Sequence, residues 1–198
     1  MIFESERLGF RLLEQGDLDE LFNKVWGSTE TMRFCGGAIA RKQIPEIIEY
    51  NRGQYNTYGN AIFAVIKNDR LLGICGGEPD EEDPLHVELI IHLAGEYQHQ
   101  GYGTEALKAY VEWLRAGKKA TYIYASVHPD NQASLNMTKK CGLVQCGFRQ
   151  YEDTGFVDEP YFELILDEYK LERQVLRNEP DAGRLCQSYG NIRQMGQN

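Results

Sequence analysis

The sequence predicts an α/β (α+β) protein with a mixed, mostly antiparallel central sheet flanked by helices. Three observations carry that expectation. Two strand-like runs, Ala61–Ile66 and Leu71–Cys75, are joined by the turn Lys67-Asn68-Asp69-Arg70, the pattern of an antiparallel hairpin. After Pro84 strand-like and helix-like segments alternate, which requires crossover connections and therefore some parallel pairing. Apolar residues recur at helical spacing in some segments and at every second position in others, so both element types bury one face.

The elements follow in order. Leu8–Leu13 reads as a first strand. Leu18, Leu21, Phe22 and Val25 lie on one helical face, with Asp17 expected as the N-cap and Glu20 as its reciprocal partner. Gly36-Gly37 interrupts the chain. A second helix is expected from about Gln43 to Thr57, with Ile44, Ile47 and Ile48 inward and Pro45 tolerated in the first turn. The hairpin follows. Glu78, Asp80, Glu81, Glu82 and Asp83, with Pro79 and Pro84 as the bounds, read as a solvated acidic loop, because crowded like charges repel.

His86–Leu93 is the most informative strand. Its odd positions, Val87, Leu89, Ile91 and Leu93, are all apolar, and its even positions are His86, Glu88, Ile90 and His92. Alternate residues face opposite sides of a sheet, so one face is core and the other carries a carboxylate and two imidazoles. A helix from about Gly103 to Arg115, a strand over Thr121–Val127, a helix over about Ala133–Lys140 and strands over Val144–Arg149 and Tyr161–Leu166 complete the domain, residues 1–170. Residues 171–198 read as a C-terminal extension, partly helical or loose.

The 198 residues suffice for one domain with a full core. Lys and Arg total 21 against 30 Asp and Glu, a net charge of −9, which argues against nucleic acid as a partner. No apolar run approaches the roughly 18 residues of a membrane span, and MIFESERLGF lacks the basic start and apolar core of a secretory leader. Five cysteines with no Cys-x-x-Cys pair suit a reducing, cytoplasmic compartment without structural zinc. His86, His99 and His128 form no metal-ligand spacing. Cys141 and Cys146 have no histidine or acid spaced to activate them and read as inert thiols.

Gln98-His99-Gln100-Gly101-Tyr102-Gly103-Thr104 lies between the strand and the following helix. A glycine-rich turn opening a helix aims free backbone N–H groups at one point, reinforced by the helix dipole, which suits a phosphate. No Gly-Lys-Ser/Thr ending follows, so it is not a Walker loop. Ala106 stands where a dinucleotide fingerprint requires its third glycine.

The whole run His86-Val-Glu-Leu-Ile-Ile-His-Leu-Ala-Gly-Glu-Tyr-Gln-His-Gln-Gly-Tyr-Gly-Thr-Glu-Ala-Leu resembles the acetyl-CoA-binding core of the GNAT N-acetyltransferase superfamily. Gln98, Gly101 and Gly103 match its Gln/Arg-x-x-Gly-x-Gly/Ala loop. Asn131-Gln-Ala-Ser134 followed by Lys140-Cys-Gly142-Leu resembles a second block of the family. Glu-Ser-Glu-Arg-Leu-Gly-Phe-Arg-Leu-Leu near the N-terminus resembles the opening of the branch that includes the ribosomal-protein N-terminal acetyltransferases. The resemblance covers about Phe3 to Tyr169.

It implies a GNAT-like acyl-CoA N-acyltransferase fold and these roles. Leu93 pairs its backbone with the pantetheine arm and polarises the thioester carbonyl. Gln98, His99, Gly101, Tyr102, Gly103 and Thr104 cradle the pyrophosphate, Asn131 contacts the arm, and Lys140 lies near the phosphates. Acetyl-CoA is then the co-substrate, with no metal, and the acetyl group moves directly to a primary amine in a ternary complex. Such a reaction needs a base for the ammonium, donors for the oxyanion and an acid for the departing thiolate.

Glu88 is the candidate base, since partial burial raises a carboxyl from about 4.3 toward a useful value. His92 is the alternative base. Many family members carry a tyrosine acid where this chain has Thr138; Ser134 matches the serine proposed for that task in the branch. Leu143 replaces the usual Phe by another apolar residue. The acidic balance suits a cationic acceptor, either a protein N-terminus or a small amine such as a polyamine or aminoglycoside. Thr138 keeps one alternative open, a CoA-binding sensor on the same fold without turnover. The sequence leaves acyl chain length and oligomeric state open, a homodimer included.

Overall fold

The computed structural model describes residues 1–166. The expected division into a domain of residues 1–170 and an extension of residues 171–198 runs past the described residues. Eight strands form one sheet in the order β1-β2-β3-β4-β5-β6-β8-β7. They are β1 (Phe3–Glu4), β2 (Gly9–Leu12), β3 (Ile62–Lys67), β4 (Arg70–Pro79), β5 (His86–Leu93), β6 (Tyr122–Ser126), β7 (Val144–Arg149) and β8 (Glu159–Ile165). Every neighbouring pair is antiparallel except β5 and β6. The mixed sheet predicted from the hairpin and the crossover order is therefore present, and only the two-residue β1 escaped the pattern.

Helices cover both faces. Helix α1 (Leu18–Glu20) continues as a wider π-helical segment (Leu21–Trp26), and α2 spans Ile44–Tyr58. Ile44, Ile47 and Ile48 pack with Leu21, Val25 and Trp26 against Ile62, Ala64, Ile74 and Ile90. On the other face lie α3 (Tyr102–Ala116) and α4 (Gln132–Lys140). Leu107, Tyr110, Val111 and Leu114 repeat at helical spacing and meet Phe63, Val65, Leu72, Val87 and Leu89. Both faces of β5 are thus roofed, so Glu88 on its polar side is only 7% exposed.

Two local expectations are corrected. Asp17 does not cap α1. Its carboxylate takes both Arg11 Nη atoms at 2.7 Å and the Glu14 N–H at 2.9 Å, and a doubly charged pairing outcompetes a local cap. The acidic stretch is not a solvated loop. Strand β4 runs through Pro79, burying Glu78, and Asp80 turns inward to accept the Glu82 N–H at 2.8 Å. Only Glu81 and Glu82 are exposed. Helix α3 lies where it was expected and begins at Tyr102, after Gly101 in a left-handed conformation (φ +83°).

The β3–β4 hairpin closes as expected: Asn68 and Asp69 both adopt positive φ, the geometry that matches strand twist. At Gly73, a Cβ would lie 2.1 Å from the His92 carbonyl oxygen, so only glycine lets β4 approach β5 there.

Candidate active site

The site starts from a defect in the sheet. Strands β5 and β6 pair only at His86–Tyr122, Val87–Ile123 and Glu88–Tyr124. Beyond Glu88 the two strands part, because β5 continues to Leu93 while β6 ends at Ser126 and the chain turns into α4. The result is a wedge with Glu88 and Tyr124 at its apex. A cleft of about 440 Å³ opens from it, lined along β5 by Ile91, His92 and Leu93.

The backbone of β5 is exposed to this cleft in a defined way. The Ala94 N–H donates to the Leu72 carbonyl at 2.9 Å, which makes Gly73–Leu93 a non-hydrogen-bonded pair of the β4–β5 ladder. The N–H and C=O of Leu93 consequently point away from β4, toward the side where β6 has withdrawn. Gln98 Nε2 donates to that carbonyl at 2.8 Å. The Leu93 N–H remains directed at the wedge.

The turn from β5 to α3 forms the mouth. His99 (φ +60°) and Gly101 (φ +83°) adopt left-handed backbone, and the first N–H groups of α3 have no intrahelical acceptors. A Cβ on Gly103 would stand 3.0 Å from Met137 Sδ and 3.6 Å from Leu93 Cδ1, inside the gap between the two helices. This cradle suits a phosphate group and the slender chain attached to it. Opposite, Asn131 caps α4 by accepting the Ser134 N–H at 3.1 Å. That bond sets the first turn of α4 so that Ser134, Asn136, Met137 and Lys140 face the cleft.

The cleft brings together Leu93, Gln98, His99, Gly101, Gly103, Thr104, Asn131, Ser134 and Lys140. Two other candidates stand apart from its lining. The Tyr102 side chain is buried behind the turn, bonded to Lys67 through its hydroxyl. Glu88 lies at the apex, about 10 Å along β5 from Ile91. Thr138, at the position where many family members carry a tyrosine, is a buried residue of α4, and no tyrosine lines the cleft among the described residues.

The sequence reading missed the segment across the mouth. Glu30, Arg33, Phe34 and Cys35 line the cleft, and Phe34 stacks on His128 with ring centroids 4.9 Å apart. No periodicity marks that segment. It also missed Glu78. This residue lies directly across the ladder from Glu88, and burial pushes its carboxyl up to about 8. On the same sheet face Tyr122 bonds Tyr161 at 2.8 Å and Glu163 at 2.5 Å, beside Tyr124. Burial raises the hydroxyls of Tyr122 and Tyr161 above the ordinary range. The signal was present in the alternation of β6 and β8, but their registry was not.

A sheet wedge with a glycine turn at its mouth places this chain among α/β proteins whose open strand edge and helix N-terminus suit an extended, phosphate-bearing ligand. The chain belongs to the GNAT acetyltransferase family: residues 7–144 match the family model described as Acetyltransferase (GNAT) domain. The uncharacterized N-acetyltransferase p20 of Bacillus licheniformis is 25% identical over 175 residues, 83% of this chain and 96% of that protein. Two solved structures share the fold. The acetyltransferase from Salmonella typhimurium that modifies the N-terminal serine of ribosomal protein L7/L12 superposes with a TM-score of 0.71 at 15% identity, over 82% of this chain and 97% of its own. Spermidine N-acetyltransferase from Vibrio cholerae, in complex with CoA and spermine, superposes with a TM-score of 0.69 at 19% identity, over 83% and 98%. Among the described residues no helix is long and apolar enough to cross a membrane.

Proposed function

We propose that this protein transfers an acetyl group from acetyl-CoA to a primary amine by direct attack in a ternary complex. The observation that carries this reading is the convergence of two separate sequence blocks, Leu93–Thr104 and Asn131–Lys140, on one cleft. The donor supplies the activated acetyl carbon; the chain binds, orients and moves protons. The α3 N-terminus and the left-handed backbone at His99 and Gly101 hold the diphosphate. The open edge of β5 takes the pantetheine arm, with Asn131 beside it. The Leu93 N–H stabilises the oxygen that gains charge when the amine attacks.

Glu88 accepts the ammonium proton, relayed by water across the distance from the apex to the cleft. His92 lines the cleft directly and is the competing base. Ser134 serves the departing thiolate by holding a water. The acceptor is cationic. The net charge of −9 and the carboxylates Glu88 and Glu163 on that sheet face support that choice. A protein N-terminus, as named for the Salmonella structure, ranks before a small amine such as a polyamine.

The test is thiol release from acetyl-CoA with N-terminal peptides, spermidine, an aminoglycoside and free amino acids, each against a blank without acceptor. Release with one class establishes the reaction. A flat response, with acetyl-CoA still protecting the protein against heat, supports the second reading, a CoA sensor without turnover; the absence of a tyrosine from the described cleft lining favours it. Gly103→Glu places bulk and negative charge in the cradle and abolishes CoA binding under both readings. Unchanged affinity in that variant removes the site assignment.

A further inference from the structure

We infer that Arg7, from the segment between β1 and β2, is a donor-binding residue that reaches a phosphate of the CoA moiety from behind the glycine turn. The inference rests on the acetyl-CoA reading above and extends it to a part of the chain outside the cleft lining.

The geometry is explicit. Arg7 Nη2 lies 3.6 Å from the point where a Cβ on Gly101 would stand, beside the left-handed residue that opens α3. Its guanidinium carbon sits 4.5 Å from the centroid of the Tyr102 ring, and Lys67 Nζ lies 4.5 Å from the same centroid. Tyr102 therefore carries two cations immediately behind the turn whose N–H groups converge at the mouth.

Arg7 is held there by Glu105, in the first turn of α3. The carboxylate accepts the Arg7 backbone N–H at 2.8 Å, Arg7 Nε at 2.6 Å and the Ser5 hydroxyl at 2.7 Å. Two consequences follow. The clamp neutralises a carboxylate that would otherwise repel a phosphate at this helix end. It also uses only the Nε face of the guanidinium, leaving the Nη donors, on the Gly101 side, to bond a phosphate oxygen. In a protein of net charge −9, Arg7 and Lys67 together outweigh Glu105 and leave the turn locally positive, which offsets the field that a polyanionic donor meets. The side chain is 41% exposed, so its contribution falls as salt rises.

Arg7→Gln tests this with two donors and one binding measurement. Calorimetric titration of the full chain with CoA should show about tenfold weaker binding in the variant at low ionic strength. The deficit should narrow as salt is added, and Arg7→Lys should recover part of it. The ratio of kcat/KM for acetyl-CoA to that for acetyl-pantetheine, which lacks the nucleotide phosphates, should fall by a similar factor. A purely structural clamp lowers both donors alike and leaves the ratio unmoved, which would overturn the assignment. Equal CoA affinity in wild type and Arg7→Gln also overturns it while leaving the function intact. A wild-type protein that does not bind CoA overturns both.

Discussion

The two sides of the wedge are built from different materials. On the proposed donor side the groups that face the cleft are backbone: the N–H of Leu93, the left-handed turn at His99 and Gly101, and the start of α3. On the apex side they are side chains from four strands, Glu78 on β4, Glu88 on β5, Tyr124 on β6 and Tyr161 on β8, brought together by ladder registry. The lesson is that a phosphate-ended ligand common to a whole family can be held by main-chain devices. On the proposed reading the acceptor is met by the side chains of the apex. Donor-side changes should therefore alter affinity for CoA, and apex-side changes should alter rate and pH response.

The strongest way to break this division is Glu88→Gln. As the base it should lose about 10²–10⁴-fold in kcat, with CoA affinity by calorimetry unchanged. If CoA affinity falls with the rate, the apex is not separate from the donor side. A loss confined to His92→Gln instead would move the base into the cleft.

A core change calibrates both. Leu107 is buried under the sheet face away from the apex, and Leu107→Ala should lower unfolding stability by about 2–5 kcal/mol with a KM for acetyl-CoA close to wild type. Chemical denaturation and steady-state kinetics on the same sample check it.

The pH response comes next. Glu78 keeps its proton in the fold up to about pH 8, whereas in the unfolded chain it ionises near 4.5. Between those values the folded state binds more protons, so stability falls as pH rises through that window. Glu78→Gln, neutral throughout, should flatten this slope and be more stable than wild type at pH 8 by an amount on the order of a few kcal/mol. Thermal melts from pH 5 to 8 read it directly, and parallel slopes would remove Glu78 from the apex.

The smallest effect expected is Ser134→Ala. A hydroxyl that only positions a water should cost about tenfold in kcat, measured by thiol release, and little in KM. An unchanged kcat would reduce Ser134 to a residue of the first turn of α4.

What the sequence carried was local. The strand at His86–Leu93, the helical spacing of Leu107, Tyr110, Val111 and Leu114, and the turn at Gly101 each follow from a few adjacent residues, and the structure reproduces them, although β5 is buried on both faces and not on one. The Asn131–Lys140 block was equally legible, since Asn131 caps its own helix.

What failed was decided at a distance. Asp17 looked like a cap until Arg11 claimed it, and the acidic stretch looked solvated until β4 carried Glu78 beneath α2. By itself the sequence determined most of the strands and helices and which glycine turn opens α3, because propensity, alternation and glycine conformation act over a few bonds. Only the tertiary structure decided that β5 and β6 part after Glu88, that Glu78 faces it, and that Arg7 stands behind Gly101. Those facts depend on strand registry and packing between residues far apart in the chain, where no local pattern reaches.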